Sequence, residues 1–301
     1  MRGPLAIAVV FLAACSLTEF AANGVVRVTD RAAPAVQESW DYEFARDTLP
    51  SGILRLEGMF RVVPDNEDLL LQLVRAYSAY AYGFIEDDME EAELAGDWDR
   101  ADDLRARAVL FYQRAVMFAK RLFRMHDESF DEVFARGPEA FASWVRETFD
   151  DEEDVPILFW TGYAWGLSVR AGDPSALVDL PIARTLVDRS VELDPSYFHY
   201  AGMTFQAAIE ASIPEPMGGN PQRGRELFER VLELTDRRAH AVQLNYARSY
   251  AVNTNDRELY VSLLREVMDA GDVLPEARLA NKIARRRAER SLRRTDELFF
   301  E

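Results

Sequence analysis

Four segments of this 301-residue chain repeat one spacing: Gly52-x3-Leu56-x2-Met59, Ala108-x3-Tyr112-x2-Ala115, Ala183-x3-Val187-x2-Ser190 and Gly224-x3-Phe228-x2-Val231. A small residue, a bulky one and a small or medium one at i, i+4 and i+7 fall on a single stripe of an α-helix. The small end lets a second helix come close, and the bulky centre wedges against it. Two of the stripes are followed by a proline, Pro64 and Pro195, which stops the helix. Apolar residues keep three- and four-residue spacing from about residue 30 to the end, and no run alternates as a strand would. The chain reads as all-α, assembled from paired helices.

This stripe resembles the second helix of a tetratricopeptide repeat. Partner helices in matching register are Leu70-x2-Leu73-Val74-x2-Tyr77 and Trp160-x2-Tyr163-Ala164-x2-Leu167. The copies are degenerate, with a long acidic insertion at Ile85 to Asp103 and turn-rich connections at Ala171 to Pro181 and Pro214 to Pro221. The resemblance implies a tetratricopeptide-like α-solenoid with helical insertions, whose first helices line an inner groove. Its register places Arg75, Ser78, Thr161, Trp165, His199, Gln206, His240, Gln243 and Tyr250 on that groove. Trp165 and Tyr250 suit an apolar floor under polar groups, or alternatively fill core space as large aromatics usually do.

The single cysteine, Cys15, ends the run Leu12-Ala13-Ala14-Cys15 after a short apolar stretch that Arg2 precedes. This resembles a bacterial lipoprotein signal: the apolar run is too short to span a bilayer, and small residues precede the cleavage point. The expected organisation is a signal peptide over residues 1–14, a lipid-anchored linker over 15–35 and a single helical domain over 36–301. Cys15 would carry the acyl chains, so the membrane is reached through lipid alone. Ser16 after the cysteine fits placement at the outer membrane, facing the periplasm. No other cysteine remains for a disulfide or a thiolate, so stability must come from packing.

Acidic residues outnumber basic ones by 52 to 35, which disfavours non-specific binding to nucleic acid. One basic block stands out: Lys282, Arg285, Arg286, Arg287, Arg290, Arg293 and Arg294. These recur around most of a helix circumference, so they fit pairing with acidic surface of the same chain or of a neighbouring subunit. His126, His199 and His240 are far apart, without the spacing of a helical metal site, and no nucleotide-binding loop or nucleophile elbow is present. The run Asp150 to Asp154 lacks the alternating ligands and central glycine of an EF-hand. It reads instead as the N-terminal flank of a helix starting near Val155. No catalytic residue, metal ligand or cofactor is assigned.

Three segments together resemble one family: Ala183 to Pro195, Pro214 to Thr235, and the stretch from Asn245 to Phe299 with Tyr250-Ala251-Val252, Asp256-Arg257-Glu258-Leu259, Leu279-Ala280-Asn281-Lys282-Ile283-Ala284 and Asp296-Glu297-Leu298-Phe299. They are similar to the T-component of tripartite ATP-independent periplasmic (TRAP) transporters, a family of tetratricopeptide-like lipoproteins. The resemblance implies a non-enzymatic accessory lipoprotein, a homotrimer, that docks the periplasmic solute-binding subunit. It also implies a cleft or pore that holds or passes a small organic ligand, hydrophobic ones included. Asn281 sits in a family-like motif and joins the ligand candidates, with a hydrogen bond to backbone as its plainer role. An envelope scaffold binding protein partners only is the alternative. The Gly218-Gly219-Asn220-Pro221 turn has a structural role: glycine permits positive φ, and Pro221 opens a helix.

Overall fold

The computed structural model describes residues 4–172, 179–213 and 219–299, and every regular element within them is helical. Helix α1 (Pro4–Arg31) leads through the single turn α2 (Pro34–Gln37) to α3 (Tyr42–Phe60) and α4 (Glu67–Tyr80). A π-helical turn, Ala81–Ile85, runs straight into α5 (Glu86–Ala95), followed by α6 (Trp98–His126). Two shorter helices, α7 (Phe130–Ala135) and α8 (Pro138–Thr148), precede α9 (Val155–Arg170). Then come α10 (Leu180–Leu193), α11 (Tyr197–Ser212), α12 (Pro221–Leu234) and α13 (His240–Tyr246). A second π-helical turn, Ala247–Ala251, leads on to α14 (Arg257–Asp269), α15 (Arg278–Arg293) and α16 (Thr295–Leu298).

Short polar side chains start these helices by satisfying amide groups that have no partner inside the helix. Asp41, Asn66, Asp97, Asn220 and Asp256 each accept from the N–H three residues on. Pro221 opens α12 directly after Asn220, while Pro214 and Gly218 of the preceding turn lie outside the described residues. The acidic run takes the place the sequence assigns it: Asp151 accepts from Glu153 N, and its own N–H donates to the Asp154 carboxylate, just before α9.

Sequential pairing dominates the packing. Helix α4 lies on α6, α9 on α10, and α11 on α12. The repeated stripes lie in these contacts, since Ala108, Tyr112 and Ala115, then Ala183, Val187 and Ser190, and then Phe228 and Val231 are all buried. Gly224 explains why the small end must be small: a Cβ there would stand 2.7 Å from Ala211 N and 2.9 Å from Ala207 O. The Gly52 copy departs from the others, being only half-buried and meeting no neighbour within 4 Å.

Two features add to the reading of the sequence. The stretch expected as a linker, 15–35, is largely helical, and α1 docks on α4 through Val26, which is fully buried. Gln72 donates to Val26 O at 3.0 Å, and Asn66 to Asn23 at 2.7 Å. The side chain of Cys15 and residues 1–3 and 173–178 lie outside the described residues. The second is at the other end, where α15 returns to pack on α2, α3 and α5. Leu279 and Ile283 share an apolar cluster with Tyr42, Ile53 and Phe84, so the last long helix joins the first half of the chain.

Candidate functional site

Helices α9 and α11 and the π-helical turn after α4 bring a layer of aromatic side chains together. Trp160 meets Phe198 with ring centroids 5.0 Å apart, and Phe159 meets Tyr163 at 5.5 Å and Tyr197 at 5.6 Å. Tyr163 continues to Phe205 and to Tyr82, each at 6.4 Å. The sequence allows this locally because Gly166 leaves room for Phe205, whose ring would collide with any Cβ at that position. Tyr82, Tyr163, Tyr197, Phe198 and Phe205 are only partly buried, so the layer keeps accessible apolar surface.

One cation is fixed at the edge of this layer. Arg75 donates to the Tyr197 hydroxyl at 3.2 Å and sits 5.8 Å from the Trp160 ring, and Trp160 Nε1 donates to the same hydroxyl at 3.1 Å. Backbone strain is concentrated here too. Phe198, His199 and Tyr200 have φ of 49°, 58° and 61°, left-handed values that cost bulky residues about 1–3 kcal/mol each. Burial holds the His199 imidazole below its ordinary pKa.

At Tyr82 the layer meets a second constellation. The guanidinium groups of Arg170 and Arg287 stand 5.3 and 4.0 Å from the Tyr82 ring. Both bind Glu86, at 2.7 and 3.1 Å, and the carboxylate also accepts from Tyr112. Asp87 is fully buried and accepts from Tyr42 at 2.8 Å, from Arg286 at 2.9 Å and from Arg290. Glu90 takes Arg248 at 2.7 and 3.0 Å and Arg290 at 3.2 Å, and Arg294 reaches Glu93 at 3.3 Å. The acidic insertion and the basic block are therefore partners within one chain. Burial works to raise the carboxyls of Glu86 and Glu90, but the surrounding arginines overrule it and hold both below the usual range. The two π-helical turns flank this clasp, one running into Glu86 and the other carrying Arg248.

A third feature is a cavity of about 350 Å3 between α10, α11 and α12. Gln206 lines it and donates to Asp188 at 2.8 Å, while Arg184 is paired with Glu210 at the same wall. Burial raises the Asp188 carboxyl above its ordinary value. Among the described residues no group of three or more His, Cys, Asp and Glu side chains is arranged to hold a metal.

A profile of the TRAP transporter T-component matches residues 38–299. The chain belongs to that family. T-components are transport accessories and not an enzyme family, and the match covers all three constellations. The chain is also similar to an uncharacterized protein of Treponema pallidum (strain Nichols), 22% identical over 236 residues, covering 73% of this chain and 68% of that protein. Among the described residues no helix is long and apolar enough to cross a membrane.

The ten groove candidates of this T-component do not share one surface. Arg75 reaches the aromatic layer, and His199 lies in its strained turn. Gln206 lines the separate cavity. Ser78 and Thr161 are fully buried, with the Thr161 hydroxyl turned back onto Ile157 O at 2.7 Å. Trp165 is a core residue, 1% exposed and stacked against Phe123 and Phe134. His240, Gln243 and Asn281 organise the start of α13: Asn281 accepts from His240 N at 3.0 Å and donates to Arg238 O at 2.9 Å, and Gln243 donates to Arg237 O and Glu266. Tyr250 packs on Tyr246 in the second π-helical turn. The register missed Tyr82, Tyr197, Phe198 and Phe205; the run Tyr197-Phe198-His199-Tyr200 was the visible signal for two of them.

Proposed function

We propose that this T-component holds or passes a small organic ligand over the aromatic layer of α9, α11 and the π-helical turn after α4, while docking the solute-binding subunit of its TRAP system. The observation that carries the reading is the layer itself: partly exposed aromatic rings beside one oriented arginine, in a family devoted to transport. Such a surface favours a flat or apolar body with a polar end, which the Arg75 guanidinium and Tyr197 hydroxyl would receive. Pocket chemistry of this kind binds and releases; it offers no nucleophile.

In the same reading the paired helices form a tetratricopeptide-like solenoid, supported by three well-buried copies of the stripe. The mature chain starts at an acylated Cys15, faces the periplasm from the outer membrane and assembles as a homotrimer. Contacts between subunits would use surfaces other than Arg286 and Arg290, since both are already paired with α5 of their own chain.

The test is native mass spectrometry of the protein purified from its own envelope. Retained organic ligand that is lost on Phe205→Ala, with helicity unchanged, supports the aromatic layer. Ligand that survives Phe205→Ala and Arg75→Gln but is lost on Gln206→Ala moves binding to the cavity of α10 to α12.

A further inference from the structure

Helix α1 has two unlike faces. One carries Ala22, Asn23 and Val26 onto α4. With about 100° per residue, Leu17, Phe20, Ala21 and Val28 fall together on the opposite side, and Leu17, Phe20 and Val28 are 67–70% exposed. A helix that docks by one stripe ordinarily turns charge to water on the other. Here the outward stripe is apolar, and exposed Arg27 and Arg31 stand along one of its edges. The acidic residues of the segment lean the other way. Glu19 falls on the α4 side of the helix, and Asp30 faces Arg75 at 3.5 Å.

We infer that the outward stripe of α1 lies in the headgroup boundary of the membrane that holds the acyl anchor. The inference rests on the proposal that Cys15 is acylated. The stripe starts two residues after Cys15 on the same continuous helix, so acyl chains at Cys15 would bring Leu17 and Phe20 to the bilayer surface. From Leu17 to Val28 it extends roughly 16 Å along the axis at 1.5 Å per residue. That is a segment lying along the interface, with apolar side chains inward and arginine heads snorkelling to lipid phosphates. No helix among the described residues is suited to crossing.

This arrangement replaces a flexible tether with a rigid one. The Asn23–Asn66 and Val26–Gln72 hydrogen bonds and buried Val26 tie α1 to α4, and α4 carries Arg75 at the aromatic layer. A membrane-bound α1 would therefore fix the direction in which the ligand face looks.

The test uses full-length protein purified from membranes, in which lipid on Cys15 leaves Ala21→Cys as the sole free thiol. A spin label at residue 21 is compared with one at Glu258→Cys on α14, both in vesicles of phosphatidylethanolamine and phosphatidylglycerol. Collisions with oxygen and with a water-soluble nickel chelate report depth, and intact mass reports acylation. The expected result is oxygen-dominated collision at 21 and chelate-dominated collision at 258. Adding Phe20→Asp and Val28→Asp should move the label at 21 into water while the protein stays acylated and vesicle-bound. An acylated, vesicle-bound protein whose label at 21 meets the chelate as freely as that at 258 overturns the inference and leaves the anchor standing. Shielding from both reagents with dipolar broadening between labels also overturns it, because a second copy would then cover the stripe. A mass without acyl chains overturns the anchor and the inference together.

Discussion

The aromatic layer and the arginine clasp meet at Tyr82, yet they are held by opposite physics. In the layer, rings at 5.0–6.4 Å keep accessible surface, one backbone turn is strained, and the polar groups are few. In the clasp, Glu86, Asp87, Arg287 and Arg290 are almost wholly buried and surrounded by partners. The layer leaves ring surface accessible; the clasp spends its polar groups on joining residues about two hundred positions apart. For buried ion pairs the cost of taking the charges out of water can offset their attraction, whereas removing one partner alone is strongly destabilising.

The strongest way to break the comparison is to strand a charge. Glu86→Leu removes one acceptor from Arg170, Arg287 and Tyr112 together, and should cost about 3–5 kcal/mol in urea unfolding. Replacing the group as a whole, with Glu86→Leu, Tyr112→Phe, Arg170→Met and Arg287→Met, should recover most of that loss and leave ligand retention intact. A quadruple variant that folds but loses ligand would make the clasp part of the binding site.

The next effect belongs to the layer. Gly166→Ala forces the Phe205 ring aside and should cost about 1–3 kcal/mol as overpacking, with no dependence on salt and a measurable drop in ligand retention.

Acid should then separate the clasp from the start of α13. Burial holds His240 below its ordinary value of 6.5, so the unfolded chain takes up its proton first and stability begins to fall as pH drops below 6.5. Glu86 and Glu90 are depressed carboxyls, so what they contribute is complete above 4.5 and is lost as pH falls from there toward their folded values. Thermal melts from pH 8 to 3 should show a first decline below 6.5, smaller in His240→Phe because only the depressed His199 then contributes to it, and a second below 4.5. The smallest effect is at the surface: Arg225→Ala breaks an exposed pair with Glu229 and should change stability by less than about 0.5 kcal/mol.

How much was legible follows from sequence distance. The α9–α10 pair was readable because its stripe at Ala183 and its partner helix at Trp160 lie close together in sequence, and the small end of the α12 stripe was readable at Gly224. Trp165 was placed on the groove by repeat register, but its stacking partners, Phe123 on α6 and Phe134 on α7, come from helices outside its own pair. The acidic insertion and basic block were visible as opposite charges, with pairing inside the chain left as one of two alternatives; only the fold shows Asp87 beside Arg290. The docking of α1 had almost no signal, because a single buried valine, Val26, carries most of its apolar contact.

In the proposed function this T-component works with a solute-binding subunit and a small organic ligand. The direct measurement is a pull-down from the native envelope with the acylated protein as bait, identifying proteins and extracted small molecules together by mass spectrometry. The account predicts a TRAP solute-binding subunit accompanied by an organic ligand, with the ligand lost and the subunit kept in Phe205→Ala. Recovery of unrelated envelope proteins alone, with neither subunit nor ligand, would contradict it and leave a scaffold.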